Sequence, residues 1–139
     1  MENQRIIFAS SEHEEFFYKS LTKCRYKDVY HIALVYTLGI SADTRRHIDS
    51  IYNFKTGLVR NECIRDAWQT GTDKKVTRLA MNLYCGGNPS KYAYDDDDDI
   101  RNEIFHYNVD EIFCCSYAPY FFQAIKLRYP EYTNNVLLV

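Results

Sequence analysis

From Ser11 to Pro130 the chain repeats one pattern: a residue able to cap a helix, apolar side chains at helical spacing, then a glycine, proline or polar stop. A chain written this way is committed to short helices, because each cap satisfies backbone N–H groups that a helix start leaves unpaired. Ser11-Glu12-His13-Glu14 has capping-box spacing and predicts a helix to about Cys24. Asp28 caps a second helix in which Leu34, Val35 and Leu38 share a face, and Gly39 is read as the left-handed residue that ends many helices. Ser41 caps a third, carrying Ile48 and Ile51. Past Gly57, Asn61 opens a short helix with Cys63, Ile64, Ala67 and Trp68. Thr72 or Asp73 opens another with Val76, Leu79, Ala80 and Leu83 on one face, closed by Gly86-Gly87. Helix restarts at Asn108 or Ser116. Pro119 suits the first turn of the last helix and Pro130 stops it. The apolar tail from Asn135 to Val139 is expected to form a short strand or to dock.

The expected fold is therefore all-α or mainly α: a single compact domain over residues 1–139, made of about six short helices. A chain of 139 residues can bury about two-thirds of the surface its unfolded form exposes, so one core suffices. Over residues 88–99 the apolar period is lost, and Asp95, Asp96, Asp97, Asp98 and Asp99 follow in a row. Adjacent like charges resist compaction, so this stretch reads as an acidic loop.

Charge is unevenly placed. Residues 1–91 carry 14 Lys/Arg against 10 Asp/Glu, whereas residues 92–139 carry 3 against 9. The basic residues form only short clusters, Arg45-Arg46 and Lys74-Lys75, not the stripe that a direct nucleic-acid binder presents. No apolar run approaches the roughly 18 residues of a membrane span, and the N-terminus lacks the basic start and apolar stretch of a secretory signal. The expectation is a cytoplasmic protein that binds neither nucleic acid nor membrane. Five irregularly spaced cysteines fit free thiols in a reducing compartment.

His13 and His31 fall on the apolar faces of the first two helices, and Cys63, Cys114 and Cys115 lie on apolar segments. Thiolates and imidazoles are zinc's preferred ligands, so these five are the candidate ligands of a structural zinc. The ordinary reading is a set of satisfied core residues, and it is preferred because no CxxC or HxxxH spacing is present. A nucleophilic Cys114 or Cys115 with His106 is a weaker alternative, since no third orienting group is evident. The acidic run reads either as a solvated loop or as a partner-binding surface for basic side chains. It does not have the alternating ligands and turn glycine of an EF-hand. With 13 Tyr, 8 Phe and one Trp, many tyrosines should sit at the core's edge or on a binding face.

The segments YHIALVYTLGISADTRRHI (30–48), AWQTGTDKKVTRLAMNLY (67–84) and IFCCSYAPYFFQAIKLRYPEY (112–132) resemble an uncharacterised family of small proteins from prophages and conjugative elements of Gram-positive bacteria. That resemblance implies a bacterial host and an accessory role, and some small proteins of such elements inhibit CRISPR nucleases. It implies a non-enzymatic, stoichiometric inhibitor of a CRISPR effector nuclease that blocks nucleic-acid loading or activation. A metal-supported hydrolase or a nucleotide-binding protein acting on a defence signal is the alternative.

Overall fold

The computed structural model describes residues 5–85 and 102–133. The acidic run Asp95 to Asp99, the Gly86-Gly87 stop and the tail 135–139 lie outside them. The architecture is mainly helical, as the capped periodicity predicts. Helix α1 (Ser11–Lys23) leads to α2 (Val29–Leu38), then to two short helices, α3 (Ala42–Arg46) and α4 (Ile48–Ile51). A two-stranded hairpin follows, β1 (Tyr52–Asn53) and β2 (Leu58–Val59), then a 3-10 turn (Asn61–Arg65) and α5 (Gly71–Cys85). A second 3-10 turn (Glu103–His106) precedes α6 (Val109–Phe113), α7 (Ala118–Arg128) and α8 (Pro130–Thr133).

Helix α2 is the axis of the molecule. Ala33, Leu34, Val35, Tyr36, Thr37 and Leu38 are all fully buried, so over these residues it is enclosed on every side. It packs chiefly on α5 and α7, with α1 along a third side. One apolar cluster joins Phe17, Val35, Tyr36, Val76, Leu79, Ile112 and Phe121. A second, on the other side of α2, joins Leu34, Leu38, Ile51, Tyr52, Cys63, Ala80 and Met81. Each fully buried side chain of this size contributes about 1.5–3 kcal/mol.

The caps account for where the elements begin. Asp28 accepts from the His31 backbone N–H, Ser41 from Asp43, and Asn108 from Glu111, as their spacing predicts. The first cap is displaced by one residue: Ser10, not Ser11, accepts from the His13 N–H, and Ser11 bonds only its neighbour Glu12. Helix α5 opens on a reciprocal box between Thr70 and Asp73, each side chain accepting from the other's backbone N–H. Asp73 is buried and also accepts from the Ser41 hydroxyl at 2.6 Å, which ties the starts of α3 and α5 together.

Other expectations change. The helix capped by Ser41 ends at Arg46, so Ile48 and Ile51 fall in α4 beyond His47, and α5 begins at Gly71 behind Thr70 and not at Thr72 or Asp73. Gly39 ends α2 in the right-handed region, φ −80° and ψ −12°, so its lack of a side chain serves packing and not a left-handed turn. The helix opened by Asn61 stops at Arg65 as a 3-10 turn, leaving Trp68 beyond it, stacked on His47 with ring centres 4.3 Å apart. The hairpin was not foreseen. Its strands are two residues each, too short for a periodic signal, and its turn is set by the Asn53 side chain accepting from the Lys55 and Thr56 N–H groups. Gly57 closes the turn at φ +72°, a conformation glycine adopts without a Cβ penalty.

Candidate functional site

The predicted ligand set is dispersed. Among the described residues no group of three or more His, Cys, Asp or Glu side chains is placed to hold a metal ion. His13 is unsuited to ligation because both ring nitrogens are used: Nδ1 accepts from the Ala9 N–H at 3.0 Å and Nε2 donates to the Tyr36 carbonyl oxygen at 2.7 Å. The backbone N–H facing Nδ1 fixes the neutral tautomer, and burial pushes the imidazole down from 6.5 to about 4. His13 is thus the closing member of the first helix cap, in the position where a glutamate or glutamine usually reaches back.

Cys63 is buried in the second apolar cluster, where burial and then Asp66 and Glu62 push its thiol up to about 12. A thiol held so far from ionisation is a small hydrophobe. Cys114 is exposed and Cys115 is half-buried, its Sγ 3.8 Å from the Ile112 carbonyl oxygen. His106 faces Glu111 at 3.3 Å, and among the described residues no hydrogen bond joins it to either thiol. The paired-cysteine nucleophile therefore has no assembled base.

His31 has different surroundings. Asp28 Oδ1, already capping α2, accepts from His31 Nδ1 at 2.7 Å. Burial would raise the Asp28 carboxyl, but the hydrogen bonds from the His31 ring and backbone hold it below its ordinary value. An ionised Asp28 fixes the proton on Nδ1, so Nε2 of the neutral ring presents a lone pair. Tyr84 Oη lies 3.4 Å from Nε2, yet its hydrogen is given to the Gly57 carbonyl oxygen. Tyr52 Oη is buried with no hydrogen-bond partner among the described residues. A methyl built on Gly57 would lie 3.8 Å from Tyr52 Oη and 3.9 Å from His31 Nε2, at ordinary contact distance.

Beside this junction the surface is aromatic and basic. Arg128 lies over Tyr30, with Cζ 3.9 Å from the ring centre, and is 4.4 Å from that of Tyr129, whose ring is 6.4 Å from Tyr132. Its Nε donates to the Leu83 carbonyl oxygen at 2.7 Å, which fixes the guanidinium plane. Tyr26 lies under Arg25, with its ring 5.9 Å from that of His31 between centres. Tyr26, Tyr30 and Tyr132 are 55%, 44% and 79% exposed.

Residues 3–137 match the model of a family of unknown function, DUF6075. The chain belongs to that family. No match was found among curated proteins or among solved structures.

In this DUF6075 chain the membrane expectation has a structural counterpart: among the described residues no helix is long and apolar enough to cross a bilayer. Sequence spacing marked His31 as inward-facing but missed Asp28 as its partner, although aspartate and histidine three residues apart at a helix start are within reach of each other. It also missed Tyr30, Arg128 and Tyr132. Only the tyrosine excess pointed to such a face.

Proposed function

We propose that the protein acts by binding a macromolecular partner through the surface built from Tyr30, Arg128, Tyr129 and Tyr132. The single observation that carries this reading is the Arg128 stack: a guanidinium fixed by Leu83 and Tyr30 beside tyrosines left open to solvent. Tyrosine and arginine are the side chains most often found at the energetic centre of protein interfaces. Side chains already held in place lose little freedom on binding. The resemblance of the three segments to small proteins of mobile elements supports a CRISPR effector nuclease as that partner, inhibited one-to-one.

Pull-down and titration against effector nucleases of Gram-positive bacteria test this. Arg128→Ala and Tyr132→Ala are each expected to weaken the complex by at least about tenfold, the loss typical of a central interface contact. Tyr132 is exposed, so its variant should keep the parent's helical spectrum. Unchanged affinity in both variants, or no complex with any effector, removes the reading.

Asp95 to Asp99 lie outside the described residues, and their proposed part is electrostatic attraction to the partner's basic surface. Replacing all five with asparagine is expected to slow association and to reduce its dependence on salt while leaving a measurable complex. Complete loss of binding would make the acidic run the central contact instead.

A further inference from the structure

The fold brings together two short basic segments that lie far apart in the chain. Residues 23–27 hold Lys23, Arg25 and Lys27, residues 52–60 hold Lys55 and Arg60, and neither segment contains an acid. All five cations are exposed, and among the described residues none of them forms an ion pair. Lys23 joins the segments directly, its Nζ 5.8 Å from the centre of the Phe54 ring. A run of rings joins them again: Tyr26 lies 5.9 Å from His31, His31 6.3 Å from Tyr52, and Tyr52 5.0 Å from Phe54, between centres. Phe54 also lines a cleft of about 320 Å³ with Asp49, Asn53, Lys55 and Arg60. Arg60 Nε donates to the Asp49 carbonyl oxygen at 3.2 Å, which anchors the guanidinium at the cleft.

Like charges gathered on one face repel each other, and an anion that neutralises them is held there. Asp28, next to Lys27, is bonded to His31, and Asp49 lines the cleft, so the face keeps an excess of positive charge. Charge alone would suit any polyanion. The rings narrow the choice, because Lys23 sits by Phe54 and Arg25 lies 5.6 Å from the centre of Tyr26, which is more than half exposed. A single nucleic-acid strand offers phosphates to the cations and flat bases to the rings, whereas an acidic peptide offers only the charge. We propose that the face formed by residues 23–27 and 52–60 binds single-stranded nucleic acid, with phosphates at the five cations and one base stacked on Tyr26. This departs from the expectation drawn from the sequence, where the same cations form no stripe. It is independent of the surface around Arg128.

The test uses the whole protein and fluorescence anisotropy, with labelled oligothymidylate and oligouridylate of about twelve nucleotides as probes, a length within the range of single-strand binding sites. At least one of the two strands is expected to bind saturably at low salt. The logarithm of affinity should fall with the logarithm of salt at a slope of about −2 to −3.5, since a single strand releases about 0.7 counterion for each phosphate neutralised. Lys23→Gln, Arg25→Gln, Lys27→Gln and Lys55→Gln combined should lower affinity at least about tenfold and flatten that slope. Tyr26→Ala alone should lower it about fivefold or more, the loss of one stacked base. Arg46→Gln, in α3 beyond the other end of α2, should change it by less than about twofold, as a cation off the strand's path does. Every side chain changed is exposed, so the helical spectra of the variants should match the parent's. No saturable binding of either strand, equal affinity in the parent and the combined variant, an unchanged Tyr26→Ala, or a comparable loss in Arg46→Gln overturns the proposal. So does poly-glutamate that displaces the strand as well as unlabelled oligothymidylate of equal charge, because the face then takes acidic polypeptides.

Discussion

Replacing His13 with alanine is expected to destabilise the protein by about 3–4 kcal/mol, a large part of the roughly 5–15 kcal/mol that holds a domain folded. Three losses add. The ring fills space between Phe8 and Tyr36, at 5.2 and 4.6 Å between centres, and its removal leaves a cavity. The Ala9 N–H loses the acceptor that completes the cap of α1. The Tyr36 carbonyl oxygen, in the last turn of the most buried helix, loses its ring donor. Glutamine, a usual residue for this cap position, can reach back to the Ser10 N–H but replaces neither the ring nor the bond to Ala9, so His13→Gln should fall between parent and alanine. Urea denaturation at neutral pH measures all three.

The same contacts set a pH dependence. The unfolded chain takes a proton on His13 near pH 6.5, whereas the native ring resists until about 4, because burial disfavours the charged ring. Between those values the unfolded state binds more protons, so stability is complete above about 6.5 and falls as pH drops toward 4. The loss available is about 3 kcal/mol. It should appear in the parent between pH 7 and 4.5 and be absent from His13→Gln. Nitrogen chemical shifts showing His13 titrating near 6.5 in the native state would contradict it.

The helices were legible because their signals are local. Asp28, Ser41, Asn108, Pro119 and Pro130 act within one turn of themselves, and each does what its spacing implies. The candidate site was less so, because its members come together only in the fold. Tyr52 comes from a hairpin whose strands are two residues long, Tyr84 from the last turn of α5 and His31 from the first turn of α2. Arg128 meets Tyr30 across 98 residues of sequence, and no period in the chain announces the pair. Inward-facing histidines were read correctly as inward. The preferred reading, satisfied core residues, describes His13, whose two ring nitrogens are both bonded, while the Asp28 partner of His31 was not part of it.

Gly39 shows the same limit in the backbone, and replacing it with alanine is expected to cost about 2–3 kcal/mol despite alanine's better helix propensity. A glycine after Leu38 reads as a left-handed helix stop, which asparagine could replace. In the structure its φ and ψ suit any residue, so backbone strain is not the reason for it. A Cβ there would lie 2.7 Å from Phe16 Cδ1, 2.8 Å from His13 Cδ2 and 3.3 Å from the Val35 carbonyl oxygen. Phe16 is half-buried and can rotate away. His13 cannot, because bonds at both nitrogens hold its ring. The added methyl must therefore push α1 off α2 or break the cap. Two results separate this account from the left-handed one. Gly39→Asn should be worse than Gly39→Ala, because the larger side chain meets the same two rings. Phe16→Leu should recover part of the loss in the Gly39→Ala background, a coupling that only residues in contact show. If asparagine is tolerated better than alanine and Phe16→Leu adds its cost independently, the close approach of α1 to α2 is not what the glycine provides.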